Sequence, residues 1–367
     1  MGIAQRLWSG LWYTRAQCLQ NEQTLVDNLL RNTGFEWTGR DTRVLSVRSA
    51  NGDPADVVRS VSVNEAHVGN RVDLVCVHGF GQSGAGCFYA SLVGWGSLGR
   101  VHLVDWRGAG MSGRPRAAKF APSNEMEAIE YLVDGLDAWR KQVLGENAKI
   151  CLLGHSMGAI VAAHYATRHP AQVRHLVLAG PAAVLETDPR LVAEFLERAG
   201  KTRATLYKAV SRAWTAGVTP QAALRLLPLD FPKKIINGYI KNRWKAEEVL
   251  DPETLRALAE YNTGVLMMPG VSEKVLSLIL QPIGAARTPI AGVVQALPNS
   301  VPVTFVYGEH DWMDPKSGQW VAEQMVRAGR KNVSCHVLPN AGHYPFIDQP
   351  ALVHEIVKKA WQECDDR

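Results

Sequence analysis

No run of apolar residues in this sequence reaches the roughly 18–20 needed to cross a bilayer as a helix, so a transmembrane anchor is not expected. The amino terminus lacks the continuous hydrophobic stretch of a secretory leader. It carries Arg6 and Arg15 with no acid before Glu22, which is compatible with a mitochondrial transit peptide. Gly2 follows the first Met, but Arg6 stands where N-myristoylation requires Ser or Thr. Cysteine is sparse: Cys18, Cys76, Cys87, Cys151, Cys335 and Cys364 form no C-x-x-C pair. Cys76 and Cys151 sit inside apolar runs, so a disulfide framework is not expected and a reducing compartment fits better. Neither a metal nor a cofactor is expected.

What is present is ordinary globular composition, 46% hydrophobic and 20% charged, over 367 residues. That length exceeds a single compact core, so one large domain with an insertion is expected. A net charge of +5 identifies no partner by itself. Short apolar runs at Asp73–His78, Val101–Asp105, Ile150–Gly154 and Val173–Ala179 read as strands. Between them, Asn124–Val143 and Ala159–Arg168 have helical spacing. The alternation breaks after Gly180-Pro181 and resumes at Val301–Tyr307, Ser334–Leu338 and a closing helix, Ala351–Cys364. Alternation of this kind implies a mostly parallel sheet with helices on both faces. The divisions expected are an amphipathic amino-terminal segment at 1–35, a core at 36–181, a mainly helical cap at 182–297 and the rest of the core at 298–367.

Gly154-His155-Ser156-Met157-Gly158 places a serine between a strand and a helix, flanked at two residues on each side by glycine. Such a sharp turn lifts the serine oxygen clear of the sheet at the helix amino end, where developing negative charge is favoured. This G-x-S-x-G elbow predicts an α/β-hydrolase fold with Ser156 as nucleophile. The order of the triad is then serine, acid, histidine. His343, in the turn-rich loop after the last strand, is the expected base, whereas His336 lies within that strand. The acid should follow Val301–Tyr307. A carboxylate three residues past Gly308 selects Asp311, with Asp314 as rival. The oxyanion donors expected are the backbone N–H groups of Phe80, in His78-Gly79-Phe80-Gly81, and Met157.

Four stretches resemble one α/β-hydrolase subfamily: VHLVDWRGAGMSGRP (101–115), EAIEYLVDGLDAWRKQVLGENAKICLLGHSMG (127–158), VPVTFVYGEHDWMD (301–314) and AGHYPFIDQP (341–350). It includes N-acyl-phospholipid lipases, a yeast cardiolipin deacylase and the lipid-droplet coactivator of triglyceride lipase. The resemblance covers most of the chain from about residue 72 and implies acyl-ester chemistry on phospholipid or lysophospholipid. His343 to Asp348 reproduces the subfamily's H-x4-D pattern, read there as an acyltransferase motif. Here its histidine is the triad base, and Asp348 is expected to orient the loop. Trp8 and Trp12, in LWSGLW, resemble the tryptophan-rich lipid grip of the coactivator. Coactivator members carry asparagine where this chain has Ser156, which favours catalysis here.

Acid is nearly absent between Lys201 and Lys245. Ten basic residues, among them Lys233, Lys234, Arg243 and Lys245, face a single Asp230. Interleaved with Tyr207, Trp214, Phe231 and Trp244, they fit a peripheral membrane or lipid-droplet surface on a cytoplasmic protein. A merely solvated helical face is the plainer alternative. Nucleic acid fits less well, since no nucleic-acid motif accompanies the patch. Val265–Met268 and Val275–Leu280 fit either an acyl channel or core packing. The expected function is a lipid acyl hydrolase. A lysophospholipid acyltransferase, a soluble esterase or peptidase, and a non-enzymatic lipid-surface regulator are the alternatives.

Overall fold

In Asp73–Val77 successive side chains turn to opposite faces of the sheet. Val75 and Val77 enter one buried cluster, and Leu74 and Cys76 enter another. That period of two marks a strand buried on both sides. A computed structural model of the chain describes residues 13–44, 55–67, 72–114, 122–186, 218–228, 230–243, 250–268, 272–281 and 287–365, with scattered positions between 205 and 248. Its strands are β1 (Trp37–Arg43), β2 (Val57–Val63), β3 (Asp73–Val77), β4 (Val101–Val104), β5 (Ile150–His155), β6 (Val173–Ala179), β7 (Val303–Gly308) and β8 (Val333–Leu338). They form one sheet in the order β1-β2-β4-β3-β5-β6-β7-β8. β2 pairs antiparallel with both β1 and β4, and the pairs from β4 to β8 are parallel.

The helices are α1 (Arg15–Leu30), α2 (Gly84–Phe88), α3 (Leu92–Gly96), α4 (Glu125–Val143), α5 (Met157–Arg168), α6 (Pro220–Leu224), α7 (Asp230–Arg243), α8 (Pro252–Met267), α9 (Ser272–Ile279), α10 (Ala291–Gln295), α11 (Pro315–Arg327), α12 (Pro345–Asp348) and α13 (Pro350–Asp365). On one face α4 and α5 cover the sheet. α4 starts where the Asn124 side chain accepts the Glu127 N–H at 3.0 Å, with acids in its first turn and bases in its last. On the other face lie α1, α8 and α13, whose Cys18, Leu25, Leu258 and Trp361 are fully or almost fully buried. α1 is therefore tied to the core. Its buried Glu22 pairs with Arg59 of β2 and accepts the Tyr261 hydroxyl of α8 at 3.1 Å.

Val275, Leu276, Ile279 and Leu280 pack into the α4 side of the core, the core-packing alternative of the two that their pattern allowed. Trp214 is likewise buried, its indole N–H donating to the Leu280 carbonyl at 2.9 Å, and so is not a surface aromatic.

The chain leaves β3 for β4 on one side and returns to β5 on the other. This reversal opens a crevice at the carboxyl ends of the strands, the usual ligand position in such sheets.

Candidate active site

Ser156 stands between the end of β5 and the start of α5 with φ 55° and ψ −120°. A non-glycine residue there stores strain. Its neighbours hold it: the Ser156 N–H donates to the Ala179 carbonyl at 3.0 Å, and its carbonyl accepts Ala182 N–H at 3.2 Å. The two motif glycines allow the close crossing. A Cβ on Gly158 would fall 2.6 Å from the Val77 and His78 carbonyl oxygens, and one on Gly154 would fall 2.6 Å from the Gly158 carbonyl oxygen.

His343 arrives from the loop after β8. Its Nε2 lies 3.0 Å from Ser156 Oγ, and its Nδ1 lies 2.8 Å from Asp311 Oδ1. The Asp311 carboxylate is fully buried and also accepts the Met313 N–H at 2.8 Å. Asp314 is turned elsewhere: it caps α11, accepting the Lys316 N–H at 3.0 Å. His336 is exposed on β8. Asp348 accepts the Gly342 N–H at 2.7 Å, which pins the turn just before His343. The Phe80 loop lies against Ser156, since a Cβ on Gly79 would come 3.1 Å from Ser156 Cβ. Met157 is the first residue of α5, where an N–H has no partner within the helix.

Two contributors escaped the sequence. Gly180 follows β6 directly with φ 48°, and a Cβ there would meet Asp311 Oδ2 at 2.8 Å and His343 Nδ1 at 3.2 Å. A glycine directly after a core strand was the available signal. His155 is buried, with Nε2 2.8 Å from the His343 carbonyl oxygen and Nδ1 3.7 Å from Cys87 Sγ. Burial, aided by the charge of His343 when protonated, pushes the His155 pKa well down. The neutral ring donates its Nε2–H to the His343 carbonyl and steadies that loop.

Of the expected lipid contacts, Lys233 is half-buried, 3.4 Å from Glu260 and above the Tyr13 ring. Lys234 is exposed on α7. Trp8, Trp12, Lys245 and the Arg243 side chain lie outside the described residues. Phe231, Ile235 and Tyr239, spaced four apart on α7, are 58%, 46% and 46% exposed, while Ile236 and Ile240 are buried. Among the described residues no helix is long and apolar enough to cross a membrane.

Residues 74–356 match the sequence model of the alpha/beta hydrolase family. A 1-acylglycerol-3-phosphate O-acyltransferase of Arabidopsis thaliana is 34% identical over 291 residues, which are 77% of this chain and 65% of that protein. The chain thus spans just under two thirds of that relative. A (lyso)-N-acylphosphatidylethanolamine lipase of Mus musculus is 26% identical over 298 residues, 81% of each chain. Among solved structures, a carboxylesterase of Bacillus subtilis superposes with a TM-score of 0.57 at 19% identity, over 94% of this chain and 97% of that one. At that identity the likeness speaks for the fold alone.

Proposed function

The chain belongs to the alpha/beta hydrolase family, and within it we propose a serine hydrolase that cleaves acyl esters of phospholipids or lysophospholipids at a lipid surface. The observation that carries this reading is the continuous relay from Asp311 through His343 to the strained Ser156, with bonds of 2.8 and 3.0 Å.

In this reading His343 Nε2 takes the proton of Ser156 Oγ as that oxygen bonds to the ester carbonyl carbon. The carbonyl oxygen becomes an oxyanion held by the Phe80 and Met157 N–H groups at the amino end of α5. Asp311 fixes the ring so that Nε2 faces the serine, and it stabilises the imidazolium. His343 then gives its proton to the leaving alcohol, and the carbon–oxygen bond of the ester breaks. Water, deprotonated by His343, attacks the acyl-serine, releases the fatty acid and returns the proton to Ser156.

A lysolipid hydroxyl in place of that water gives acyl transfer through the same acyl-serine. The acyltransferase name of the plant relative supports this second outcome. Asp348 has no chemical step in either route, because it is committed to the Gly342 N–H.

The test is covalent labelling. Wild type should react with a fluorophosphonate probe at Ser156 and release fatty acid from phospholipid vesicles, and Ser156→Ala should do neither. Undiminished fatty acid release by Ser156→Ala would overturn the reading.

A further inference from the structure

The loop that carries Phe80 is braced by the two residues that follow β4. Trp106, 2% exposed, holds His78 at two points. Its indole N–H donates to the His78 carbonyl oxygen at 2.6 Å, and its backbone N–H donates to His78 Nε2 at 3.3 Å. Asp105 takes the far end of the loop, accepting the Gly84 N–H at 2.6 Å. His78 is fully buried, and burial pushes its pKa down to about 4, so the ring is neutral. With Nε2 accepting from Trp106, Nδ1 carries the proton and donates it to the Gly79 carbonyl oxygen at 2.7 Å.

That last bond reaches the chemistry. The Gly79 carbonyl and the Phe80 N–H belong to one peptide unit, which is planar and trans, so its two polar groups point opposite ways. Fixing the carbonyl against the His78 ring therefore fixes the direction of the N–H. Among the described residues the Phe80 N–H meets no acceptor of the chain. A hydrogen bond to the carbonyl also polarises the peptide and strengthens its N–H as a donor. Trp106 touches the second donor's element as well. A Cβ on Gly158, the residue after Met157, would come 3.1 Å from Trp106 Cζ2 and 2.6 Å from the His78 carbonyl oxygen.

We infer that Trp106 is a positioning residue for the oxyanion hole, aiming the Phe80 N–H through His78 and setting that loop against the Met157 end of α5. This rests on the serine-hydrolase reading above and adds how its two donors are held in register. Donors stabilise a developing oxyanion best when they are aimed before the reaction begins. Loss of such aim weakens the transition state more than the bound ester, so it lowers kcat and leaves KM.

The experiment compares p-nitrophenyl butyrate with its thiono analogue, in which sulfur, a weaker hydrogen-bond acceptor, replaces the carbonyl oxygen. Both are small esters, so the readout is independent of lipid class. Wild type should favour the oxygen ester by about tenfold or more, since one oxyanion donor contributes about 10²–10³ in kcat. Trp106→Phe keeps the ring packing but loses the indole N–H. Its kcat on the oxygen ester should fall about tenfold with KM within about twofold of wild type, and the oxygen-to-sulfur ratio should shrink. His78→Asn, which keeps a side-chain donor near the place of Nδ1, should hold more of that ratio than His78→Leu. A merely structural loss would lower both esters alike. Thermal unfolding and fluorophosphonate labelling report which variants fold; where His78→Leu does not, Trp106→Phe decides alone. A wild-type ratio in folded Trp106→Phe overturns the inference and leaves the serine-hydrolase reading standing. Turnover of neither ester by wild type, or hydrolysis that survives Ser156→Ala, overturns that reading and this inference together.

Discussion

Ser156 occupies backbone space that costs about 1–3 kcal/mol for a residue with a side chain, and hydrogen bonds to Ala179 and Ala182 on the neighbouring segment keep it there. That strain aims its oxygen at His343. In the proposed relay the acid is the carboxylate that the loop after β7 turns inward. Asp311 is buried against His343, while Asp314 faces outward as the cap of α11. Asp311→Asn should therefore lower kcat by about 10³–10⁴-fold, by losing the anion that orients and stabilises the ring. Asp314→Ala should cost about 1 kcal/mol of stability, as lost helix caps do. Its kcat should stay within about threefold of wild type, since the cap lies outside the relay. Steady-state kinetics beside thermal unfolding checks both, and the reverse pattern would make Asp314 the acid. Ser156 and His343 were readable because strand, elbow and loop order are local properties. The choice between two aspartates three residues apart was not, because it depends on the loop's final fold. Gly180 was less legible still: its missing side chain is demanded by Asp311 and His343, which join it only in the folded molecule.

At the scale of elements, periodicity located what packing rewards. Val173–Ala179 is a strand with the expected limits, and α4 begins one residue after its Asn124 cap. α5 starts at Met157, two residues before its apolar pattern suggests, because the elbow passes from strand to helix with no loop between. The amino-terminal helix differs most from its sequence. An acid in an amphipathic segment reads as a solvated one, yet Glu22 of α1 is 1% exposed and joins α1 to β2 and α8 through Arg59 and Tyr261. Periodicity carries no record of that partner, which stands on another strand. Glu22→Ala would leave the Arg59 guanidinium without its buried partner, a loss of about 3–5 kcal/mol. Glu22→Gln should cost less, since its amide oxygen still accepts from Arg59. The difference is measurable as the denaturation midpoint in urea, and equal midpoints for Glu22→Ala and wild type would remove α1 from the core's support.

Across the whole molecule the segments that meet at the site come from the carboxyl ends of β3, β5, β6, β7 and β8, which is what a switched parallel sheet provides. The charge balance is organised on a similar scale. Residues 201–245 hold ten bases and one acid, in a chain whose total is only +5. Among them α7 turns Phe231, Ile235 and Tyr239 outward beside the exposed Lys234, and Leu226, just before that helix, is 71% exposed. Apolar side chains in one stripe beside cations fit the interfacial zone of an anionic bilayer, where each base adds about 1 kcal/mol near the surface. The solvated-face alternative predicts no such preference. Flotation with vesicles containing phosphatidylglycerol should therefore recover the protein, and purely zwitterionic vesicles should recover much less. Raising salt to about 0.5 M should weaken recovery, because screening shortens the reach of the basic residues. Phe231→Asp with Ile235→Asp should reduce binding by about tenfold or more, the equivalent of losing partial burial of two large apolar groups. Ser156 should keep its reactivity toward a soluble fluorophosphonate in that variant, because α7 supplies no member of the relay. Equal recovery on both vesicle types, unchanged by the two substitutions, would return α7 to the status of a solvated helix and leave Ser156 as a nucleophile that meets its ester in solution.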